Sequence, residues 1–189
     1  MTTMTEAPAQ VKVMVVDDLD EKLLVYRAIL EEPGIDVVTV RSGEEALGRL
    51  LRDEFAVILL DVNMPGMDGF ETASMIRQRR RCAHTPIIFI TGHADDMYAL
   101  RGYSHGAVDY MMAPVVPAIL RTKVRVFVEL SRLTQQVRRQ AATQVADIER
   151  ERAHLMDVLE SAAECVATIG VDGTLRRMNS AGKEMLGYA

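Results

Sequence analysis

Three carboxylates stand where two apolar runs stop. Asp17-Asp18 follows Val13-Met14-Val15-Val16, and Asp61 follows Val57-Ile58-Leu59-Leu60 and leads into Val62-Asn63-Met64-Pro65-Gly66-Met67-Asp68-Gly69. Each run is short and apolar, so each reads as a strand buried on both faces with a loop at its carboxyl end. Parallel α/β sheets carry their ligand chemistry at that edge. Two like charges at about 4 Å repel by on the order of 4 kcal/mol at an effective dielectric of about 20, so pooled carboxylates require a cation. A hard divalent ion suits them: Mg2+ takes oxygen ligands, keeps several waters and is commonly held by carboxylates together with a phosphate. A carboxylate in such a site can also act as a nucleophile, taking a phosphoryl group as an aspartyl phosphate. Asp61 is the candidate. Thr91 ends a further apolar run, Ile87-Ile88-Phe89-Ile90. Its hydroxyl can donate to a phosphoryl oxygen, and Gly92 leaves room for backbone approach.

These residues need a scaffold that brings several strand ends to one edge. Strands are predicted at residues 11–16, 37–40, 57–60, 87–90 and 107–111, and helices at 21–30, 43–51, 70–79, 95–103 and from Pro117 onward. Ser42 before Glu45 resembles a capping box. Repeated β-α units of this size imply a parallel sheet with helices on both faces. The last helix runs far beyond the domain, with no Gly or Pro between Pro117 and about residue 163 and apolar residues at steps of three and four. Such a run reads as a coiled-coil connector between two copies, ahead of a solvated single helix with little to bury against. Beyond it, Val166-Ala167-Thr168-Ile169, Val171-Asp172-Gly173-Thr174 and Leu175-Arg176-Arg177-Met178 read as strand, turn, strand. Asn179-Ser180 then caps a short helix. A hairpin and one helix cannot bury a core of their own, so this part is expected to open a larger domain of a longer protein.

Composition narrows the function classes. The chain has 189 residues, 49% hydrophobic and 26% charged, and its net charge of −5 argues against a general nucleic-acid binder. No stretch is apolar enough to span a bilayer, and the first ten residues, expected to be disordered, lack the pattern of a signal peptide, so the expected address is the cytoplasm with no membrane partner. Cys82 and Cys165 suggest neither a disulfide framework nor a zinc site. His84, His93, His105 and His154 have no ligand spacing, and the 12 methionines read as core filler. The basic run from Arg77 to Arg81 reads as the solvated end of a helix.

The ordered set Asp17-Asp18, Asp61 with Met64-Pro65-Gly66-Met67-Asp68-Gly69, Thr91, and Gly106-Ala107-Val108-Asp109-Tyr110 before Pro114 resembles the receiver domain of two-component response regulators over residues 11–133. The resemblance implies a flavodoxin-like, five-stranded parallel α/β fold that is a phosphoacceptor, not an enzyme. By the same resemblance, Asp61 would take phosphate from a histidine kinase or phosphotransfer protein. Asp18 and Asp61 would bind Mg2+, Asp17 would reach it through water, and the Asn63 backbone carbonyl would complete the protein ligands. Thr91 would meet the phosphoryl group, and Tyr110 would be the aromatic that reorients with it. Residues 134–163 resemble a signalling helix, implying a homodimer, and residues 164–189 resemble the opening of an α+β PAS domain.

One position departs from the pattern. Receivers carry a Lys just before the Pro that follows the fifth strand, and here Ala113 precedes Pro114. A phosphoryl group brings about −1.5 to −2 charges that an ammonium would partly offset. Phosphorylation is therefore expected to persist slowly while switching is weakened. A phosphorylation-independent dimerisation scaffold is the alternative. More remotely, Asp18-Leu19-Asp20 resembles the first motif of haloacid-dehalogenase-type phosphatases, although Lys22 stands where that family has Thr, and Asp61 has no role there.

Overall fold

Residues 10–92, 108–164 and 166–187 are described by a computed structural model. The chain divides into two units, Met1–Gln135 and Gln136–Ala189. In the first, β1 (Val11–Val16), β2 (Ile35–Val40), β3 (Val57–Asp61), β4 (Ile87–Thr91) and β5 (Asp109–Met112) form a parallel sheet in the order β2-β1-β3-β4-β5. The helices are α1 (Asp20–Leu30), α2 (Gly43–Leu50), α3 (Gly69–Gln78) and α4 (Pro117–Ser161), which continues into the second unit. The predicted helix over residues 95–103 lies outside the described residues, as do Gly106 and Ala107. Among the described residues, no helix is long and apolar enough to cross a membrane.

Alternation along the central strands creates two cores. Met14, Val16, Ile58 and Leu60 face one side, where they meet Ala46, Leu47 and Leu50 of α2 and Phe70, Ala73 and Ile76 of α3. Val13, Val15, Val57 and Leu59 face the other, against Leu23, Tyr26 and Leu30 of α1 and Leu120, Val124 and Val128 of α4. Strands covered on both faces are apolar almost throughout, which is why residues 13–16 and 57–60 read as continuous apolar runs, while Lys12 near the start of β1 turns to Asp53. The ends of the elements differ modestly from expectation. β2 begins two residues before the expected Val37, its Ile35 opposite Val11, and β5 runs on to Met112 opposite Thr91, because pairing with the neighbouring strand sets each end.

The Ser42 cap forms, with the return bond of Glu45 falling one residue before the N-cap. Ser42 Oγ accepts from the Glu45 backbone N–H at 3.2 Å, while the Glu45 carboxylate reaches back to the Arg41 N–H at 3.0 Å. The basic run stands at the end of α3 as expected, with Arg80 and Arg81 exposed, but three of its guanidinium groups also bond backbone carbonyls. Arg77 donates to the carbonyls of Ala83 and Thr85 at 3.0 and 2.9 Å, Arg79 to Leu47 at 3.0 Å, and Arg81 to Leu51 at 2.9 Å. Carbonyls near the end of α2 have no intrahelical partner, and guanidinium forks supply the donors they lack.

In the second unit, β6 (Ala167–Ile169) and β7 (Leu175–Met178) pair antiparallel around a turn in which Gly173 has φ +79°. Asp172 Oδ1 accepts from the Thr174 N–H and hydroxyl at 3.2 and 2.7 Å. Asn179, 3% exposed, caps α5 (Ser180–Met185) by accepting from the Gly182 N–H at 3.0 Å. The same oxygen accepts from the Val166 N–H at 2.9 Å, and Nδ2 donates to the carbonyls of Leu159, Ala162 and Glu164 at 2.8–3.2 Å. One amide therefore closes the C-terminus of α4 and starts both the hairpin and α5. Replacing Asn179 with Ala leaves these groups without partners, at an expected cost of about 2 kcal/mol. Amide exchange at the end of α4 should accelerate roughly thirtyfold for such a loss, and unchanged exchange would refute the hub role.

Candidate functional site

The site arises from strand register. Val16 lies opposite Leu60 in the β1–β3 pair, so Asp17 and Asp61 follow side by side at the carboxyl edge. Here β1 lies between β2 and β3, at the switch point where ligands bind in doubly wound sheets. Asp17 and Asp61 are buried and Asp18 is half-buried, with one carboxylate oxygen of each lying within 4.8 Å of the others.

Lys22, from the first turn of α1, enters this cluster. Its Nζ donates to Asp17 Oδ2 and Asp61 Oδ2, both at 3.0 Å. Burial disfavours the ammonium, but its hydrogen bonds and attraction to both carboxylates outweigh that and hold the lysine pKa above its ordinary value. Burial raises the Asp17 pKa, and the nearby Asp61 charge adds to it, against the Leu19 N–H bond at 3.0 Å and the Lys22 ammonium. Tyr26, buried behind them, is also raised, first by burial and then by the Asp17 charge. The donors are hard oxygens that already hold one cation between them, so the residues present fit a hard divalent ion.

The loop after β3 supports Asp61 from below. Gly66 takes φ +77°, Asp68 caps α3 by accepting from the Glu71 N–H at 2.7 Å, and the Gly69 N–H donates to the Val62 carbonyl at 3.0 Å. Gly69 lies flat against the end of β3, and a Cβ there would stand 2.3 Å from the Asp61 carbonyl oxygen.

The other predicted residues meet this edge to different degrees. Thr91 is buried at the end of β4, and its Oγ1 accepts a long 3.5 Å contact from Asn63 Nδ2. Ala113 runs beside it, its N–H donating to the Thr91 carbonyl at 2.8 Å. Tyr110 is half-buried opposite Phe89 and packs on the core beneath α2 and α3. Sequence reasoning missed Lys22 as a site residue and considered it only as a departure from a phosphatase motif. Its partner Asp17 lies five residues earlier and outside α1, so no helix spacing marked the contact in advance.

Comparison with known proteins agrees with this geometry. The family model of the response regulator receiver domain matches residues 13–125. The transcriptional regulatory protein SrrA of Staphylococcus aureus is 28% identical over 149 residues, 79% of this chain and 56% of SrrA, so the chain spans about half the length of that relative. Among solved structures, the Vibrio cholerae chemotaxis protein CheY4 aligns with a TM-score of 0.60 and 31% identity over 63% of this chain and 99% of its own. The BeF3-activated DrrB receiver domain aligns with a TM-score of 0.58 and 34% identity over 64% and 98%. A signal receiver domain of a Syntrophus aciditrophicus signal transduction histidine kinase gives 0.58 and 27% over 62% and 89%.

Proposed function

This chain belongs to the response regulator receiver family of two-component systems, and from that premise we propose that Asp61 is the phosphoacceptor of a Mg2+-dependent receiver acting on an attached module through α4. The observation that carries the reading is the convergence of Asp17, Asp18 and Asp61 at one sheet edge, with Thr91 ending the adjacent strand. A histidine kinase or phosphotransfer protein is the donor. An Asp61 carboxylate oxygen attacks phosphorus, the phosphorus–nitrogen bond of the donor phosphohistidine breaks, and the departing imidazole nitrogen takes a proton. Asp18, Asp61 and the Asn63 backbone carbonyl would hold Mg2+, with Asp17 as the third carboxylate of the cluster. When bound, the ion offsets charge on the transferring group. Thr91 contacts the phosphoryl oxygens, and Tyr110 follows Thr91.

Exposed apolar residues along α4, among them Leu133, Val137, Val145, Ile148, Leu155 and Val158, support pairing of two copies through this helix. The β6–β7 hairpin and the Asn179 cap support reading residues 164–189 as the opening of a PAS domain. Ala113 supplies no ammonium, so transmission from Asp61 is weakened. Restoring it tests this directly. Ala113→Lys is expected to speed acetyl phosphate labelling roughly tenfold, as a charge-assisted contact to the phosphoryl group forms. It should also strengthen the change in self-association on adding beryllofluoride. Equal responses in both proteins contradict the impairment, and a constant dimer in both favours the scaffold.

A further inference from the structure

Lys22 is a cation that the chain carries into its own acidic site. The ammonium lies 3.0 Å from Oδ2 of both Asp17 and Asp61, two of the three carboxylates that could hold a divalent ion. Among the described residues, it is the only lysine or arginine within salt-bridge distance of Asp61. The two acids are almost closed to solvent, with side-chain exposures of 2% and 5%, whereas Lys22 keeps 37%.

Resting on the receiver reading above, we propose that Lys22 is an intramolecular competitor for the divalent cation. The ion fills the site as the ammonium leaves its two carboxylates, and Lys22 thereby sets the ion concentration at which Asp61 becomes competent. Exclusion follows from charge and size. Mg2+ demands oxygens at about 2.0–2.1 Å in octahedral geometry, and an ammonium on the same carboxylates opposes it both sterically and by like charge. Departure is feasible because a flexible four-carbon stem already reaches solvent, where the released ammonium is hydrated. Two carboxylates occupied by the ammonium about 90% of the time would bind the ion about tenfold more weakly than the same carboxylates left open.

Titration calorimetry of MgCl2 into the 189-residue chain and into Lys22→Met and Lys22→Gln tests the proposal. Both neutral variants should bind Mg2+ about tenfold more tightly than the parent, while Lys22→Arg keeps the weaker affinity. In the parent, the 15N resonance of the Lys22 ammonium should move along the same isotherm. Equal or weaker Mg2+ binding by both neutral variants overturns the competitor role and leaves the metal site standing. If neither the parent nor the variants bind Mg2+ saturably while all retain the parental circular dichroism spectrum, the metal-site reading fails and this inference fails with it.

Discussion

Asp61→Asn should abolish phosphorylation by acetyl phosphate while leaving the domain folded. The amide matches the carboxylate in shape, and its oxygen can still accept from Lys22, now 3.0 Å from Asp61 Oδ2. A neutral amide lacks the nucleophilic oxygen from which an acyl phosphate forms, so the reaction has no route through this position. The melting temperature should stay within about 4 °C of the parent, corresponding to no more than about 1 kcal/mol in a domain of this size. Intact-mass measurement reads the outcome. A variant that still acquires one phosphoryl group at the parental rate would remove Asp61 from the chemistry.

Gly69→Ala carries the largest expected loss of stability. Its Cβ would lie 2.3 Å from the Asp61 carbonyl oxygen and 2.8 Å from Val62 Cα. Both are backbone atoms and neither can rotate away. Relief requires the end of β3 to move, with an expected cost of about 2–3 kcal/mol. Because Asp61 moves with that strand end, Mg2+ affinity should fall as well. Gly48, on the exposed side of α2, is the internal contrast. Nothing lies within 4 Å of a Cβ built there, so Gly48→Ala should stabilise by about 0.5–1 kcal/mol through helix propensity. Thermal unfolding of the two variants separates these effects. A Gly69→Ala protein that melts with the parent would show that the β3 end yields freely.

Much of the receiver was legible because its code is local. Val13 to Val16 and Val57 to Leu60 announce doubly covered strands, and the acids after them fall at the functional edge once the strands are parallel. What escaped depends on where side chains end up after folding. Lys22 has the sequence signature of any solvated helix lysine, and only the packing of α1 beside β1 and β3 turns its ammonium onto Asp17 and Asp61. Arg77, Arg79 and Arg81 read as a charged helix end, yet their partners are carbonyls brought close by tertiary structure. Asn179 was legible as a cap of α5, but its bonds to the end of α4 span 15–20 residues. Val128 extends the buried stripe of α4 one turn beyond Val124, and where that stripe ends is set by the sheet and not by the helix's own periodicity.

The central claim is that Asp61 accepts a phosphoryl group in a site that depends on a divalent ion. Incubating the parent chain with acetyl phosphate, with and without Mg2+, and mapping the product by mass spectrometry tests it most directly. The account predicts one phosphoryl group, on Asp61, formed only when Mg2+ is present. A modification formed equally well without Mg2+, located on another residue, or absent from the folded protein at saturating Mg2+ would contradict it.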